Sequence, residues 1–134
     1  MIINLMTWNT QLYTFGNKMK DGSLKLIDDK VAVKTVNRIF AMVKMFLEKE
    51  NAITILQEVP YVSNCNWKKH LWFEKFIKFF PEENYCYIYN KAPLDKALKM
   101  TVVLAKKGLI HSMDIEKNKN TYVSFQILPN TPNQ

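Results

Sequence analysis

The fold is decided by two runs of β-favouring residues, IINLMTW at residues 2–8 and AITIL at residues 52–56. Both runs are mostly apolar, which is typical of strands buried in a sheet. Between them, from Asp28 and Asp29 onward, apolar side chains recur at three- and four-residue steps, as on one face of an α-helix. The order strand, helix, strand predicts a βαβ unit in which the two strands are parallel.

The helix in this unit is the clearest helical pattern in the chain. Its apolar positions are Val36, Ile39, Phe40, Val43, Phe46 and Leu47. Residues 10–30, which precede it, contain two of the three glycines and several other turn-forming residues without a clear period. We therefore expect a long loop there.

The second half of the chain continues the mixed pattern. A second amphipathic helix is predicted over about residues 66–80, ended by Pro81, with a face of Leu71, Trp72, Phe76, Phe79 and Phe80. Three further strands are predicted at residues 85–89, 100–105 and 122–128. The sequence thus predicts a single α/β domain over residues 1–128, followed by an irregular tail at residues 129–134.

Composition limits the class of protein. The chain has 134 residues, of which 48% are hydrophobic and 13% aromatic, so a disordered chain is excluded and one core is expected. No stretch is long and apolar enough for a membrane span, and no signal peptide pattern is present, which predicts a cytoplasmic protein. Cys65 and Cys86 lack metal-type spacing, and we expect two buried free thiols.

The net charge of +7 lies mainly in the second half, where residues 68–134 carry 11 basic and 6 acidic side chains. Such a balance suits a polyanionic partner, either nucleic acid or an anionic lipid headgroup. The basic side chains of the second predicted helix are candidates for phosphate contact; they are Lys68, Lys69, Lys75 and Lys78. The same four lysines also fit an ordinary solvated helix face.

Polar residues follow the two predicted parallel strands. Asn9 comes directly after the first strand, and Gln57 and Glu58 come directly after the second. Ligands in such sheets gather at the carboxyl ends of the strands, and a carboxylate there can bind Mg²⁺ together with water and phosphate oxygens. Without further information, Glu58 also fits a solvated strand-end residue and Asn9 a turn former.

The two motifs NLMTWNTQ (4–11) and AITILQEV (52–59) resemble the opening of the endonuclease/exonuclease/phosphatase family, the deoxyribonuclease-like metal-dependent phosphodiesterases. In that family the strand-end asparagine helps to position the scissile phosphate, and the glutamate after Leu-Gln is a Mg²⁺ ligand. The resemblance implies these roles for Asn9 and Glu58, with Gln57 orienting the carboxylate.

The resemblance spans roughly residues 2–128, and TVVLAKK at residues 101–107 is similar to a later core strand of the family. It implies the amino-terminal half, with two main helices, of a mixed-sheet α/β sandwich of the deoxyribonuclease-like type. The implied cofactor is Mg²⁺, and the implied substrates are nucleic acid or other phosphate esters.

The sequence departs from the family in its second half. The Gly-Asp-x-Asn and Ser-Asp-His motifs are absent, and neither His70 nor His111 occupies a motif position. Loss of the proton-transfer groups reduces the rate by roughly 10²–10⁴-fold, so we expect very weak or no hydrolysis by this chain. The alternative is a non-catalytic basic module that binds a polyanion or assembles with another chain, and an uncovered sheet edge would favour self-association.

Overall fold

The computed structural model of the protein describes residues 2–12, 16–18, 24–26, 30–60, 71–89, 99–112 and 124–128. In chain order the elements are β1 (Asn4–Asn9), β2 (Gly16–Lys18), β3 (Leu24–Leu26), α1 (Lys30–Leu47), β4 (Ala52–Pro60), α2 (Leu71–Phe79), β5 (Tyr85–Tyr89), β6 (Lys99–Lys106), β7 (Ile110–Ser112) and β8 (Phe125–Ile127). The fold is mixed α/β, as predicted.

The main sheet has four strands in the order β1-β4-β6-β5. β1 is parallel to β4, while β6 is antiparallel to both β4 and β5, so the sheet is mixed. The predicted βαβ unit is therefore confirmed, since β1 and β4 are parallel neighbours and α1 lies between them in the chain. β5 begins and ends at the predicted residues, and β6 is one residue longer at each end.

The larger core cluster lies between the helices and one face of the sheet. It combines side chains of α1 and α2 with alternate residues of β4, β5 and β6. Phe40 of α1 is central, because its ring makes edge contacts with the rings of Phe76, Phe79 and Phe80 at centroid distances of 5.7 to 5.9 Å. The helical spacing seen in the sequence reflects this buried face.

A smaller core cluster covers part of the other face of the sheet. Here Ile53, Val103 and Ala105 of the main sheet pack with Ile110 of β7, and side chains of the antiparallel strands β7 and β8 pack around them. The thiol of Cys86 donates to the Ile110 carbonyl oxygen at 3.7 Å. Cys86 is free and half-buried, in agreement with the expected free thiol, and burial raises its pKa.

Two predictions about the strands were wrong, and one strand was missed. β1 is not mostly buried: its residues alternate between half-buried and exposed, because the face with Met6 and Trp8 packs against the larger core cluster and the face with Leu5 is exposed. Residues 10–30 are not only a loop, since β2 and β3 form an antiparallel pair there. β7 was not predicted at all; runs of three residues are too short for a periodicity to be read.

Several predicted features fall outside the described residues. They are the Asp28 and Asp29 cap, the first part of the second helix, Lys68, Lys69, His70, Cys65 and the 129–134 tail. The described part of the second helix ends at Phe79, and Pro81 follows it as predicted. Within the described residues, neither helix is long and apolar enough to cross a membrane.

Replacing Phe40 by Ala should lower the free energy of unfolding by about 3–5 kcal/mol, because a buried aromatic ring at the centre of the core is lost and a cavity remains. The matched control on the same helix is Met45→Ala, since Met45 is 73% exposed. That control should change stability by no more than about 0.5 kcal/mol. Urea denaturation measures both, and equal losses would contradict the described packing of α1.

The stability of the fold should depend on Tyr87 at high pH. Burial and the hydrogen bond to the Glu82 carboxylate, 3.2 Å away, raise the pKa of Tyr87 to about 12. Since an unfolded tyrosine ionises near pH 10, the unfolded state loses this proton first as the pH rises. The free energy of unfolding should therefore fall between about pH 10 and pH 12. In Tyr87→Phe, the free energy of unfolding should fall less steeply across this pH range than in the wild type, as urea denaturation at each pH measures. An identical pH dependence in both proteins would contradict the role of Tyr87.

Candidate functional site

The carboxyl ends of β1 and β4 meet at one edge of the main sheet. The parallel register pairs Trp8 with Leu56 and Asn9 with Gln57. Asn9 is thus the last residue of β1 and does not follow it as predicted, and it lies opposite Gln57, which precedes Glu58 on β4. The predicted juxtaposition of these residues is therefore confirmed at the level of the backbone. The side chains of Asn9 and Gln57 are exposed, and that of Glu58 is half-buried.

Glu58 lies inside β4, in a bulge, and does not follow the end of the strand as predicted. Leu56 pairs with Val102 of β6, and Val59 pairs with Met100. Gln57 and Glu58 therefore together oppose a single residue of β6, Thr101. β4 continues to Pro60 because its pairing with β6 resumes beyond the bulge, an antiparallel contact that the βαβ pattern does not contain.

The backbone at Glu58 has a φ of +58°, in the left-handed region. A non-glycine residue in this region costs about 1–2 kcal/mol, because Cβ crowds the following carbonyl oxygen. Glycine would adopt the conformation without strain, and asparagine adopts it more readily than glutamate. Residues held in such conformations cluster at functional sites, where a bulge can re-aim a side chain. Gln11 and Asn51 also have a positive φ, and Glu58 differs from both because it lies in the bulge of β4.

Thr10 connects the end of β1 to this bulge. Its backbone N–H and its hydroxyl both donate to the carbonyl oxygen of Gln57, at 3.0 and 2.9 Å. The hydroxyl oxygen also accepts from the backbone N–H of Leu12 at 3.3 Å. Thr10 is one of the buried polar residues of the protein. Sequence reasoning missed it; the available signal was a hydrogen-bonding residue directly after the strand-end asparagine.

Asn9 forms a local turn at the same edge. Its Oδ1 accepts from the backbone N–H of Gln11 at 3.2 Å, and Gln11 has a φ of +53°. This arrangement is an Asx turn, so the turn-forming alternative considered for Asn9 is confirmed. The oxygen accepts within the turn, and the Nδ2 group is the donor that the amide can offer to an anionic ligand.

The oxygen donors at this edge are of the kind that a hard divalent cation prefers. Mg²⁺ is usually held by one or two carboxylates and keeps several water and phosphate ligands. Glu58 is the carboxylate that would hold it, and the exposed Gln57 amide is close along the chain. Among the described residues no group of three or more His, Cys, Asp or Glu side chains could hold a metal. Within the described part of the chain, this edge therefore supplies only part of a coordination shell.

The predicted basic helix face is described only in part. Lys75 donates from Nζ to Oδ1 of Asn37 at 3.3 Å, which ties α2 to α1. Lys78 is exposed near the end of α2. His111 is exposed on β7, where it pairs with Gln126. The interhelical contact of Lys75 favours a structural role for that lysine.

Comparison with known protein families, curated proteins and solved structures finds no match to this chain.

The strain at Glu58 predicts an inverted order of stability for two substitutions. Glu58→Gly should be more stable than Glu58→Ala by about 1 kcal/mol, because only glycine accepts the left-handed conformation without a steric penalty. At an ordinary strand position the order is reversed, since glycine in a strand is the less stable residue. Urea denaturation of the two variants decides the question, and a more stable Ala variant would contradict the bulge geometry.

Proposed function

We propose that this chain carries the metal-binding end of a Mg²⁺-dependent phosphodiester hydrolase with a deoxyribonuclease-like α/β sandwich, acting on nucleic acid or another phosphate ester. The observation that carries the proposal is the strained Glu58 in a bulge beside Asn9, at the carboxyl ends of two parallel strands. The motifs around these two residues are the ones that resemble the family. The α/β fold with its mixed sheet and two helices is compatible with that assignment.

Each residue at the edge has a separate task in the proposed reaction. Glu58 holds the cation, and the Gln57 amide orients the carboxylate. Asn9 donates from Nδ2 to a phosphate oxygen and so helps to position the scissile ester. The cation, when bound, supplies positive charge that stabilises the developing charge on the phosphoryl oxygens. The missing family motifs mean that hydrolysis by this chain is weak.

Mg²⁺ binding tests the proposed site directly. In isothermal titration calorimetry, Glu58→Gln should weaken Mg²⁺ binding at least about tenfold, because the variant removes the anionic ligand and keeps the size of the side chain. Glu50→Gln is the matched control, since Glu50 is exposed and lies just before the opposite end of β4. It should bind Mg²⁺ like the wild type. Equal affinity of the wild type and Glu58→Gln would refute the assignment of Glu58.

Hydrolysis of bis(p-nitrophenyl) phosphate tests the reaction class. A low rate that requires Mg²⁺, that EDTA abolishes and that Glu58→Gln abolishes is the expected result. If the protein binds Mg²⁺ at Glu58 and yet shows no Mg²⁺-dependent hydrolysis, the hydrolase assignment is wrong for this chain, although the metal site stands.

A second candidate function, a non-catalytic module that assembles with a second copy, is supported by the edge of the sheet. Within the described residues β1 pairs only on its β4 side. It contains no charged residue, and Leu5 on it is 57% exposed, with Ile2 just before it 80% exposed. Sheet edges in monomeric proteins are usually protected by charge, proline or a bulge. β1 has none of these, so antiparallel pairing of two copies of β1 is favoured.

Sedimentation equilibrium tests this assembly. The wild type should form a dimer that Leu5→Lys converts to a monomer, because a lysine would introduce like charges across the paired edges. Met45→Lys is the control, since it places the same charge on an exposed position of α1. A monomeric wild type at high protein concentration would exclude assembly through β1.

A further inference from the structure

We infer that Thr10 is a positioning residue that fixes the conformation of Glu58 and thereby sets the affinity of this edge for Mg²⁺. The inference rests on the proposed function, and it assigns a role to a residue to which the resemblance gives none. Its basis is the pair of hydrogen bonds from Thr10 to the Gln57 carbonyl oxygen, 3.0 Å from the backbone nitrogen and 2.9 Å from the hydroxyl.

The geometry of the peptide bond explains why this carbonyl matters. The Gln57 carbonyl and the Glu58 N–H belong to one planar peptide group, and rotation of that plane relative to Glu58 is the φ angle of Glu58. Anchoring the oxygen therefore restrains φ near the observed +58°. Without the anchor, a glutamate would relax toward the ordinary β region, and its carboxylate would leave the edge.

Burial of Thr10 strengthens its restraint on the Gln57 carbonyl oxygen. Thr10 is buried, so water competes little for the hydrogen bonds of its hydroxyl, and the partners of that hydroxyl are fixed. The Leu12 N–H donates to the same hydroxyl oxygen at 3.3 Å and orients it toward Gln57. Glu58 is also flanked by buried side chains on β4, Leu56 and Val59, which fix the strand on both sides of the bulge.

A purely structural role for the hydroxyl is the competing explanation. In that case its removal destabilises the loop after β1 and leaves metal binding unchanged. β4 offers a matched control, because the buried Thr54 hydroxyl also donates to a backbone carbonyl, that of Leu104, at 3.2 Å. Thr54 lies four residues before Glu58 in the sequence, outside the bulge.

The experiment compares Mg²⁺ affinity by calorimetry and stability by urea denaturation in Thr10→Val, Thr10→Ser and Thr54→Val. Thr10→Val should weaken Mg²⁺ binding by about tenfold or more, as is typical when a group that orients a ligand is lost. Thr10→Ser, which keeps the hydroxyl, should bind within about twofold of the wild type. Thr54→Val should lose stability but keep the wild-type affinity.

Wild-type affinity in Thr10→Val, or an equal loss in Thr54→Val, would overturn the inference. The proposed function fails separately, because it predicts that the wild type binds Mg²⁺ and that Glu58→Gln binds it at least about tenfold more weakly. A wild type that binds no Mg²⁺ overturns both.

A second measurement covers the case in which Thr10→Val does not fold. Glycine at position 58 needs no anchor, so Glu58→Gly should restore folding to Thr10→Val or reduce its stability loss. A stability loss that is the same with glutamate and with glycine at position 58 would overturn the role of Thr10 at Glu58.

Discussion

The carbonyl oxygen of Gln57 joins the two strands on which the site depends. It belongs to β4, and it accepts both hydrogen bonds from Thr10, the first residue after β1. These bonds continue the parallel pairing beyond Asn9 and reach the bulge that contains Glu58. If the two strands were not parallel neighbours, Asn9 and Glu58 would have no common edge. Any chemistry of the site therefore depends on the tertiary arrangement of β1, α1 and β4.

The strained conformation of Glu58 is held by the strand pairing on both sides of the bulge and by the packing around it. Buried side chains flank the bulge, and α1 and α2 cover the same face of the sheet through the aromatic cluster around Phe40. A core of this kind can hold one residue in an unfavourable conformation at a cost of about 1–2 kcal/mol, a large fraction of a marginal stability. Glycine would adopt the backbone conformation of this position with less strain than glutamate does.

The βαβ unit could be predicted because its signals are local. Apolar spacing marks α1, and β-favouring runs mark β1 and β4, so Asn9 and Glu58 could be placed at one edge from the sequence. The bulge could not be predicted, since it depends on how β6 pairs with β4 on both sides of Gln57 and Glu58. The exposure of β1 likewise depends on its place in the sheet order, and composition does not record that order. The role of Thr10 could be recognised only from its hydrogen bonds to Gln57 in the structure.

The central claim is that one divalent cation is held beside both Asn9 and Glu58. Paramagnetic broadening by Mn²⁺ in the amide NMR spectrum tests it most directly, because the effect falls steeply with distance from the ion. The account predicts that substoichiometric Mn²⁺ broadens the amides of Asn9, Thr10, Gln57 and Glu58 together, while Asn51 at the other end of β4 stays sharp. Broadening that is confined to other parts of the chain, or that spares either Asn9 or Glu58, would contradict it.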